Sequence, residues 1–279
     1  MATAPRKITI HSLGRMKQRG ERVAMLTAYD YPTAKLLDAA GLDVILVGDS
    51  VGMVVLGYPT TLPVTMEDMV HHCRAVARGA SRPLLVGDLP FMAYQACREE
   101  AVRNAGRLLK EGNMEAVKLE GGREVAETVS AIVAAGIPVM GHLGLTPQAV
   151  HRMGGYRVQG RDPAQADRLK GDAQVLEKAG AFSLVLEGVP AELAEEITAA
   201  SAIPTIGIGA GPHCDGQVLV TQDMLGLFED LSPSFVKRYV DLAPVLREAF
   251  SRYREEVRAG TFPGPEHSFF RSGGPGVDR

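Results

Sequence analysis

Short apolar runs alternate with segments of helical period along almost the whole chain. Eight runs are rich in Val, Leu and Ile and are bounded by Gly, Asp or Pro, which is typical of buried parallel strands. In order they are VAMLTAYD, VILVGDS, PLLVGDLP, AVKLEGG, PVMGHLGL, LVLEGVP, TIGIGAG and GQVLVTQD. Eight strands that alternate with helices predict a closed (β/α)8 TIM barrel of the α/β class.

The segments between these runs have the apolar spacing of helices that pack one face against a sheet. HSLGRMKQRG predicts an additional N-terminal helix that precedes the first strand and closes the opposite end of the barrel. A last helix is predicted over residues 233–260. The length of 279 residues suits one barrel domain over 1–279, and the composition of 271–279 predicts a disordered tail.

Two predicted connections are longer than the turns of such barrels usually are. They cover residues 51–65 and 146–162, and each follows the carboxyl end of a predicted strand. Barrel enzymes place their active sites at that end. Because both connections contain several glycines, we interpret them as mobile lids over a binding site.

Composition and charge narrow the class of function. The net charge is -3, and no cluster of Lys and Arg interleaved with aromatic residues occurs, so we expect no nucleic-acid partner. No apolar run is long enough to span a membrane, and the first twenty residues lack the apolar core of a signal peptide. The three cysteines, an odd number without a CxxC pair, suit a reducing compartment. We therefore expect a cytoplasmic protein that acts on small molecules.

Polar side chains follow most of the predicted strands at the point where each strand ends. In a barrel these ends meet at one mouth. The residues are Asp30, Asp49, Ser50, Asp88, Lys118, Glu120, His142 and Glu187. An isolated charge in apolar surroundings costs several kcal/mol unless it is paired or bound to a metal. The mouth therefore requires a compensating cation or substrate.

Asp49 and Asp88 are each the last residue of a Val-Gly-Asp sequence, and the two sequences end neighbouring predicted strands. Two carboxylates that each supply one oxygen fit an octahedral Mg²⁺ that keeps several water or substrate ligands. The alternative is that each aspartate caps the helix that follows it. We favour the metal, because neither acid directly precedes a segment of helical pattern.

The other polar residues of the mouth leave alternatives open. Lys118 and Glu120 share one face of a strand, and Lys118 could form a Schiff base, stabilise an oxyanion or neutralise neighbouring acids. His142 could be a functional group or a core imidazole with satisfied hydrogen bonds. Glu187 could act as a general base across the mouth from Asp49, or as a favourable charge at a helix N-terminus.

Ten motifs taken together resemble one known family. They are MLTAYDYPTAKLLDAAG, VGDSVGMVVLGYPTTLPVT, DLPFMAY, VKLEGG, GHLGLTPQ, GGYRVQGR, LVLEGVP, IPTIGIGAG, DGQVLV and FPGPEHSF, in that order over residues 7–269. The chain resembles the ketopantoate (3-methyl-2-oxobutanoate) hydroxymethyltransferases. The resemblance implies a (β/α)8 barrel that binds Mg²⁺ and transfers the one-carbon unit of 5,10-methylenetetrahydrofolate to 3-methyl-2-oxobutanoate. The product is 2-dehydropantoate, on the route to pantothenate and coenzyme A.

The resemblance also assigns roles to residues. It implies metal ligation by Asp49 and Asp88 with Glu120 beside the metal, and a base at Glu187. Substrate contacts are implied for Asp49, Ser50, Asp88, Lys118 and His142. The family typically assembles as a decamer of two pentameric rings, so the resemblance implies a homodecamer. One departure, Gly188 after the predicted base, concerns packing rather than chemistry.

Two other classes of function compete with this one. A Mg²⁺-dependent lyase of the phosphoenolpyruvate mutase and isocitrate lyase group would also act on 2-keto acids, but those enzymes usually carry a loop of KKCGH type, which this sequence lacks. A non-catalytic binding protein could retain the barrel. The presence of Asp49, Asp88, Lys118 and Glu187 argues against lost activity, and a folate-dependent turnover assay separates the two.

Overall fold

Eight parallel strands close into a barrel in the order in which they occur along the chain. The computed structural model describes residues 6–231 and 233–270. The strands are Val23–Thr27 (β1), Val44–Val47 (β2), Leu84–Asp88 (β3), Ala116–Glu120 (β4), Val139–Gly144 (β5), Ser183–Glu187 (β6), Thr205–Ile208 (β7) and Gly216–Leu219 (β8). All eight predicted strands are present, and the prediction of a TIM barrel is confirmed.

A segment without a helix, 209–215, joins β7 to β8, whereas helices connect the other successive strands, as the alternating pattern predicts, and also precede β1 and follow β8. They are Ile10–Arg19 (α1), Tyr31–Ala39 (α2), Val51–Val54 (α3), Met66–Gly79 (α4), Arg98–Lys110 (α5), Ala126–Ala134 (α6), Val150–Met153 (α7), Pro163–Lys178 (α8), Ala191–Ala200 (α9), Thr221–Met224 (α10) and Leu242–Ala259 (α11). Short 3-10 turns occur at Arg123–Val125, Pro147–Ala149 and Pro265–His267.

The chain divides into two compact units, Met1–Thr221 and Gln222–Arg279. The first unit contains all eight strands, and the second contains α11. A single domain over the whole length stays a prediction, and the predicted disordered tail, 271–279, lies outside the described residues. None of the helices in the described ranges is both long and apolar enough to cross a membrane.

The N-terminal helix α1 closes one end of the barrel, as predicted. Its Leu13 is fully buried in the same apolar cluster as Val23 and Ile206, which belong to the interior rows of β1 and β7. The Lys17 ammonium group pairs with Asp215 Oδ2 at 2.8 Å, just before β8 begins. The amino ends of the strands are thereby covered, and the carboxyl ends remain for the site.

One predicted boundary is wrong, and two connections contain helical turns that the sequence did not indicate. The last helix begins at Leu242 and not near 233, because a helix through that stretch would bring the ring of Pro244 against the carbonyl group of Val240. Pro244 is tolerated in the first turn, where α11 has it. The two long connections are also partly helical: 51–65 contains α3, and 146–162 contains α7 and a 3-10 turn.

Candidate active site

The interior rows of the barrel change from apolar to charged residues at the carboxyl ends of β3 to β6. Side chains alternate along a strand, so every second residue faces the same side. On β4 the row is Ala116, Lys118, Glu120, and on β5 His142 follows Met140. Asp88 on β3 and Glu187 on β6 continue their interior rows in the same way. The rows therefore place five predicted site residues together at the carboxyl ends of these strands.

Five charged or polar side chains form a continuous chain of contacts across this end of the barrel. Lys118 Nζ lies 3.0 Å from Asp88 Oδ1 and 3.3 Å from His142 Nδ1. His142 Nδ1 in turn lies 3.5 Å from Glu120 Oε1, and its Nε2 lies 3.2 Å from Glu187 Oε2. Glu187 is the most exposed of the five, with 16% of its side chain accessible. The contacts thus run from a buried ion pair to a carboxylate that solvent reaches.

Asp49 and Ser50 join this group from the carboxyl end of β2. The backbone N–H of Asp49 donates to Asp88 Oδ2 at 3.1 Å, and both side chains are at least 96% buried. The Ser50 hydroxyl lies 2.8 Å from the hydroxyl of Tyr29. Neither acid is an N-cap residue, since Ser50 precedes α3 and Cys97 precedes α5. The alternative that these aspartates cap helices is therefore wrong.

Asp30 is the one predicted strand-end residue that lies outside the group. It is exposed, and its side chain accepts a hydrogen bond from the backbone N–H of Thr33 at 2.8 Å. It is the N-cap residue of α2, which begins directly after it. The helix-cap interpretation thus holds for Asp30, because its helix starts with no intervening loop.

Burial makes the three innermost acids weaker than ordinary carboxyl groups. The pKa of Asp88 is raised to about 7, chiefly by burial, against the opposing charge of Lys118 and with a further contribution from the neighbouring Asp49 carboxylate. The pKa values of Asp49 and Glu120 are raised as well, with burial again the largest cause. The polypeptide alone therefore does not supply enough positive charge for these carboxylates.

The two basic groups respond in opposite directions. Burial by itself would lower the pKa of Lys118, but the carboxylates of Asp88, Glu120 and Asp49 outweigh it and hold that pKa above its ordinary value. Burial, followed by the charge of Lys118, lowers the pKa of His142. At neutral pH the site therefore contains an ammonium group beside a neutral imidazole.

The composition of this group fits a divalent cation. Four carboxyl groups face a single lysine, and hard cations such as Mg²⁺ prefer carboxylate and water oxygens. Oδ1 of Asp88 accepts no well-directed hydrogen bond from the described residues, although Lys118 Nζ lies 3.0 Å away. No group of three or more His, Cys, Asp or Glu side chains forms a ready-made metal cage in residues 6–231 and 233–270. A Mg²⁺ ion held by one or two carboxylates needs no such cage.

Gln148 and Tyr94 are part of the site but were not predicted from the sequence. The Gln148 side chain donates to Asp49 Oδ2 at 2.9 Å, and its backbone N–H donates to Glu120 Oε2 at 3.0 Å. Tyr94 Oη accepts from the backbone N–H of Glu120 at 3.0 Å. Both residues lie in motifs that carry the family resemblance, DLPFMAY and GHLGLTPQ, and that position was the available signal. A neutral amide or phenol does not by itself indicate a role, so none was predicted for them.

The two long connections meet at the mouth. Tyr156 Oη donates to the sulfur of Met53 at 3.6 Å, which joins 146–162 to 51–65. The backbone N–H of Gln159 donates to the carbonyl oxygen of Gly188 at 2.8 Å, directly after Glu187. Burial, and then the charge of Glu187, raises the pKa of Tyr156. Both connections thus lie over the acid group, although their role as lids stays a prediction.

Comparison with solved structures is consistent with this architecture. Phosphonopyruvate hydrolase, solved with oxalate and Mg²⁺, is 14% identical, has a TM-score of 0.63 and aligns over 92% of each chain. A 2,3-dimethylmalate lyase of the phosphoenolpyruvate mutase/isocitrate lyase superfamily is 14% identical, has a TM-score of 0.57, and aligns over 94% of this chain and 92% of its own. At such identities the likeness concerns the fold alone.

Sequence comparison is far more specific. The 3-methyl-2-oxobutanoate hydroxymethyltransferase of Syntrophus aciditrophicus (strain SB) is 60% identical over 95% of this chain and 97% of its own. The enzyme of the same name from Moorella thermoacetica is 60% identical over 94% of this chain and 98% of its own. The model of the family described as ketopantoate hydroxymethyltransferase matches residues 7–265. The chain therefore belongs to the ketopantoate hydroxymethyltransferase family.

Proposed function

We propose that this enzyme transfers the methylene carbon of 5,10-methylenetetrahydrofolate to C3 of 3-methyl-2-oxobutanoate, forming 2-dehydropantoate for pantothenate synthesis. Family membership supports the reaction, and the buried acid group supports the chemistry assigned to it. The observation that carries the proposal is the excess of carboxylates over cations in the layer of Asp49, Asp88, Lys118, Glu120 and His142.

Asp49 and Asp88 are the residues that would hold Mg²⁺, with Glu120 on the side facing His142. When bound there, the ion would supply Lewis acidity, stabilising the negative charge that develops on the keto oxygen of the substrate. The pKa of Asp88 is raised to about 7 by burial, so a cation beside it would favour the ionised carboxylate at neutral pH.

Glu187 is the proposed general base for the C3 proton. It ends β6 on the exposed side of the group, where a substrate bound near Asp49 and Asp88 could present its C3. Gly144 gives the glutamate room, because a Cβ at this position would overlap the carbonyl oxygen of Glu187. Nε2 of His142 lies 3.2 Å from Glu187 Oε2. Because the imidazole is neutral, it can orient the carboxylate while the carboxylate keeps its negative charge and can still accept a proton.

Lys118 and Ser50 are proposed to bind the keto acid. The ammonium group of Lys118 stays protonated among its carboxylates and adds positive charge next to the developing negative charge. The Ser50 hydroxyl is held by Tyr29 at 2.8 Å and offers a hydrogen bond to the substrate carboxylate. These two contacts orient the substrate for the attack.

The bond changes follow from this arrangement. Glu187 removes the C3 proton, and C3 then forms a carbon-carbon bond to the methylene carbon carried by the folate. Both bonds from that carbon to the folate nitrogens N5 and N10 break, and a water oxygen becomes the hydroxyl group of the product. The C3 proton and one water proton end on the two nitrogens, so tetrahydrofolate leaves. The folate supplies the activated carbon, whereas the protein supplies orientation and electrostatic stabilisation. The contact between 51–65 and 146–162 limits premature access of water.

Assembly and location complete the proposal. The resemblance to the family implies a homodecamer, and α11 has an exposed apolar stripe that assembly could bury, formed by Leu246, Phe250, Tyr253 and Val257. The cytoplasm is the proposed compartment, because Cys73, Cys97 and Cys214 are free thiols, which a reducing environment preserves.

The test is formation of 2-dehydropantoate from both substrates, with Mg²⁺ and with a chelator. We expect wild-type protein to form product only with the metal, and Asp49→Ala or Asp88→Ala to lose at least a hundredfold in turnover while keeping the circular dichroism spectrum of wild type. Undiminished turnover in either variant would refute the metal assignment. Turnover without folate would refute the proposed donor.

A further inference from the structure

The side chain of Gln148 uses its full hydrogen-bonding capacity inside the site. Its Nε2 donates to Asp49 Oδ2 and to the carbonyl oxygen of Leu89, each at 2.9 Å. Its Oε1 faces two donors, Tyr94 Oη at 2.8 Å and Gln95 Nε2 at 3.0 Å. A primary amide offers two donor hydrogens and two acceptor lone pairs, so each has a partner here.

These partners fix which end of the amide faces Asp49. The carbonyl oxygen of Leu89 can only accept a hydrogen bond, so the nitrogen of Gln148 must be the atom that faces it. Asp49 Oδ2 lies 2.9 Å from the same nitrogen and therefore receives the second N–H. Because one oxygen of the carboxylate is held in this way, the plane of the group and the direction of its Oδ1 are fixed.

The backbone of the same residue holds a second acid. The N–H of Gln148 donates to Glu120 Oε2 at 3.0 Å from the 3-10 turn Pro147–Ala149. The Gln148 residue is only 6% exposed. One rigid, buried residue after β5 is therefore bonded to acids at the ends of β2 and β4. Hydrogen bonds to ionised acceptors are among the stronger ones in proteins, so they restrain both carboxylates.

We propose that Gln148 is a positioning residue: its side-chain amide and backbone N–H hold Asp49 and Glu120 in the orientation that receives a divalent cation. The inference rests on the metal site of the proposed function. Partners of this kind, which touch the ligands rather than the ion, commonly change metal affinity by 10- to 100-fold when removed. The side-chain part of this arrangement can be removed by mutation, whereas the backbone bond to Glu120 remains.

The test is Mn²⁺ binding to the metal-free protein without substrates, followed by electron paramagnetic resonance of the free ion. We expect Gln148→Met, which is similar in size but has no donor, to raise the dissociation constant for Mn²⁺ about tenfold. The matched control is Gln95→Ala, which removes a donor to Oε1 but leaves both bonds from Nε2. It should stay within twofold of wild type. A general loss of stability would not by itself reproduce this difference.

Gln148→Asn provides the second variant if Gln148→Met does not fold. It keeps the amide but is shorter by one methylene group, so it cannot reach both Asp49 and Tyr94, and it should weaken Mn²⁺ binding in the same direction. Dissociation constants within twofold of wild type in the folded Gln148 variants would overturn the inference.

Asp49→Asn, measured in parallel, separates failure of the positioning role from failure of the proposed metal site. If it abolishes binding while the Gln148 variants do not, only the positioning role fails. If it also leaves binding unchanged, the proposed metal site fails and the positioning role fails with it.

Discussion

At the scale of single residues, burial separates the acids that can take part in chemistry from those that shape the backbone. Asp30 and Asp88 both follow apolar strands, yet Asp30 is exposed and caps α2. Asp88 is 2% exposed, pairs with Lys118 at 3.0 Å, and has a pKa raised to about 7 by burial. An aspartate near the end of an apolar strand thus serves either purpose: Asp30 directly precedes α2 and caps it, whereas Asp88 is the last residue of β3 and lies inside the barrel.

Asp223, in the second compact unit, provides a pH test that does not involve the residues of the acid group. Burial raises its pKa from 3.8 to about 6, partly offset by the charge of Arg238. Between these values the folded state binds more protons at Asp223 than the unfolded state does, so its contribution to stability falls as pH rises. The loss is nearly complete about one pH unit above the folded-state pKa and is constant beyond that.

We therefore expect Asp223→Asn to become more stable relative to wild type as pH increases from about 4 to about 7, with no further change at higher pH. The measurement is the free energy of unfolding in denaturant for both proteins at several pH values in this range. A difference between them that does not vary with pH would show that Asp223 titrates alike in the folded and unfolded states.

The residues that sequence reasoning found and missed differ in a physical way. Asp49, Asp88 and Glu187 were predicted because charge at the end of an apolar strand is costly and must be compensated. Gln148 was not, because a neutral amide in a loop is ordinary in any sequence. Its importance arises from a contact with Asp49 across 99 positions of the chain, which only the closed barrel brings about.

At the scale of elements, the eight strands were predictable because apolar runs of strand length alternate with amphipathic helices. The start of α11 was not, since the residues before it share the composition of the helix and only Pro244 marks the limit. The helical turns inside 51–65 and 146–162 are four residues or fewer, too short for periodicity to indicate them.

The N-terminal helix α1 is expected to stabilise the barrel without taking part in catalysis. Leu13 is fully buried among interior residues near the amino ends of the strands, opposite the acid group. Leu13→Ala should lower the free energy of unfolding by about 2–5 kcal/mol, because it leaves a cavity in the interior. Turnover per folded molecule should stay close to wild type.

Denaturant unfolding and steady-state kinetics measure the two quantities. Leu36→Ala is the matched control, since Leu36 on α2 is 71% exposed and its truncation should change stability by no more than about 0.5 kcal/mol. An equal effect of both substitutions would contradict the view that α1 closes the barrel with Leu13.

At the scale of the whole molecule, the stripe of Leu246, Phe250, Tyr253 and Val257 on α11 is the feature that assembly best explains. These residues are three or four positions apart, so they share one helix face, and all are exposed. Large exposed apolar patches commonly mark contact surfaces. The oligomeric state is a property of several chains, and the proposal of a decamer rests on the resemblance to a family rather than on the residues of one chain.

Mass photometry should find a particle of about 300 kDa, the mass of ten chains of 29.8 kDa. Phe250→Glu places a charge in the stripe and should shift the protein to smaller species, whereas Glu255→Ala on the opposite face of α11 should leave the mass unchanged. A wild-type particle of about 30 kDa would contradict the proposed assembly. An unchanged mass for Phe250→Glu would show that the stripe is not the contact.

The central claim is that an acid group neutralised by a divalent cation activates the keto acid while Glu187 removes its C3 proton. The most direct measurement is exchange of that proton in D2O, followed by NMR with Mg²⁺ and without folate. Wild type and Glu192→Gln, a change to an exposed acid of α9, should exchange the proton. Glu187→Gln should still bind 3-methyl-2-oxobutanoate but exchange its proton at least a hundredfold more slowly. Exchange by Glu187→Gln at the wild-type rate would contradict the account.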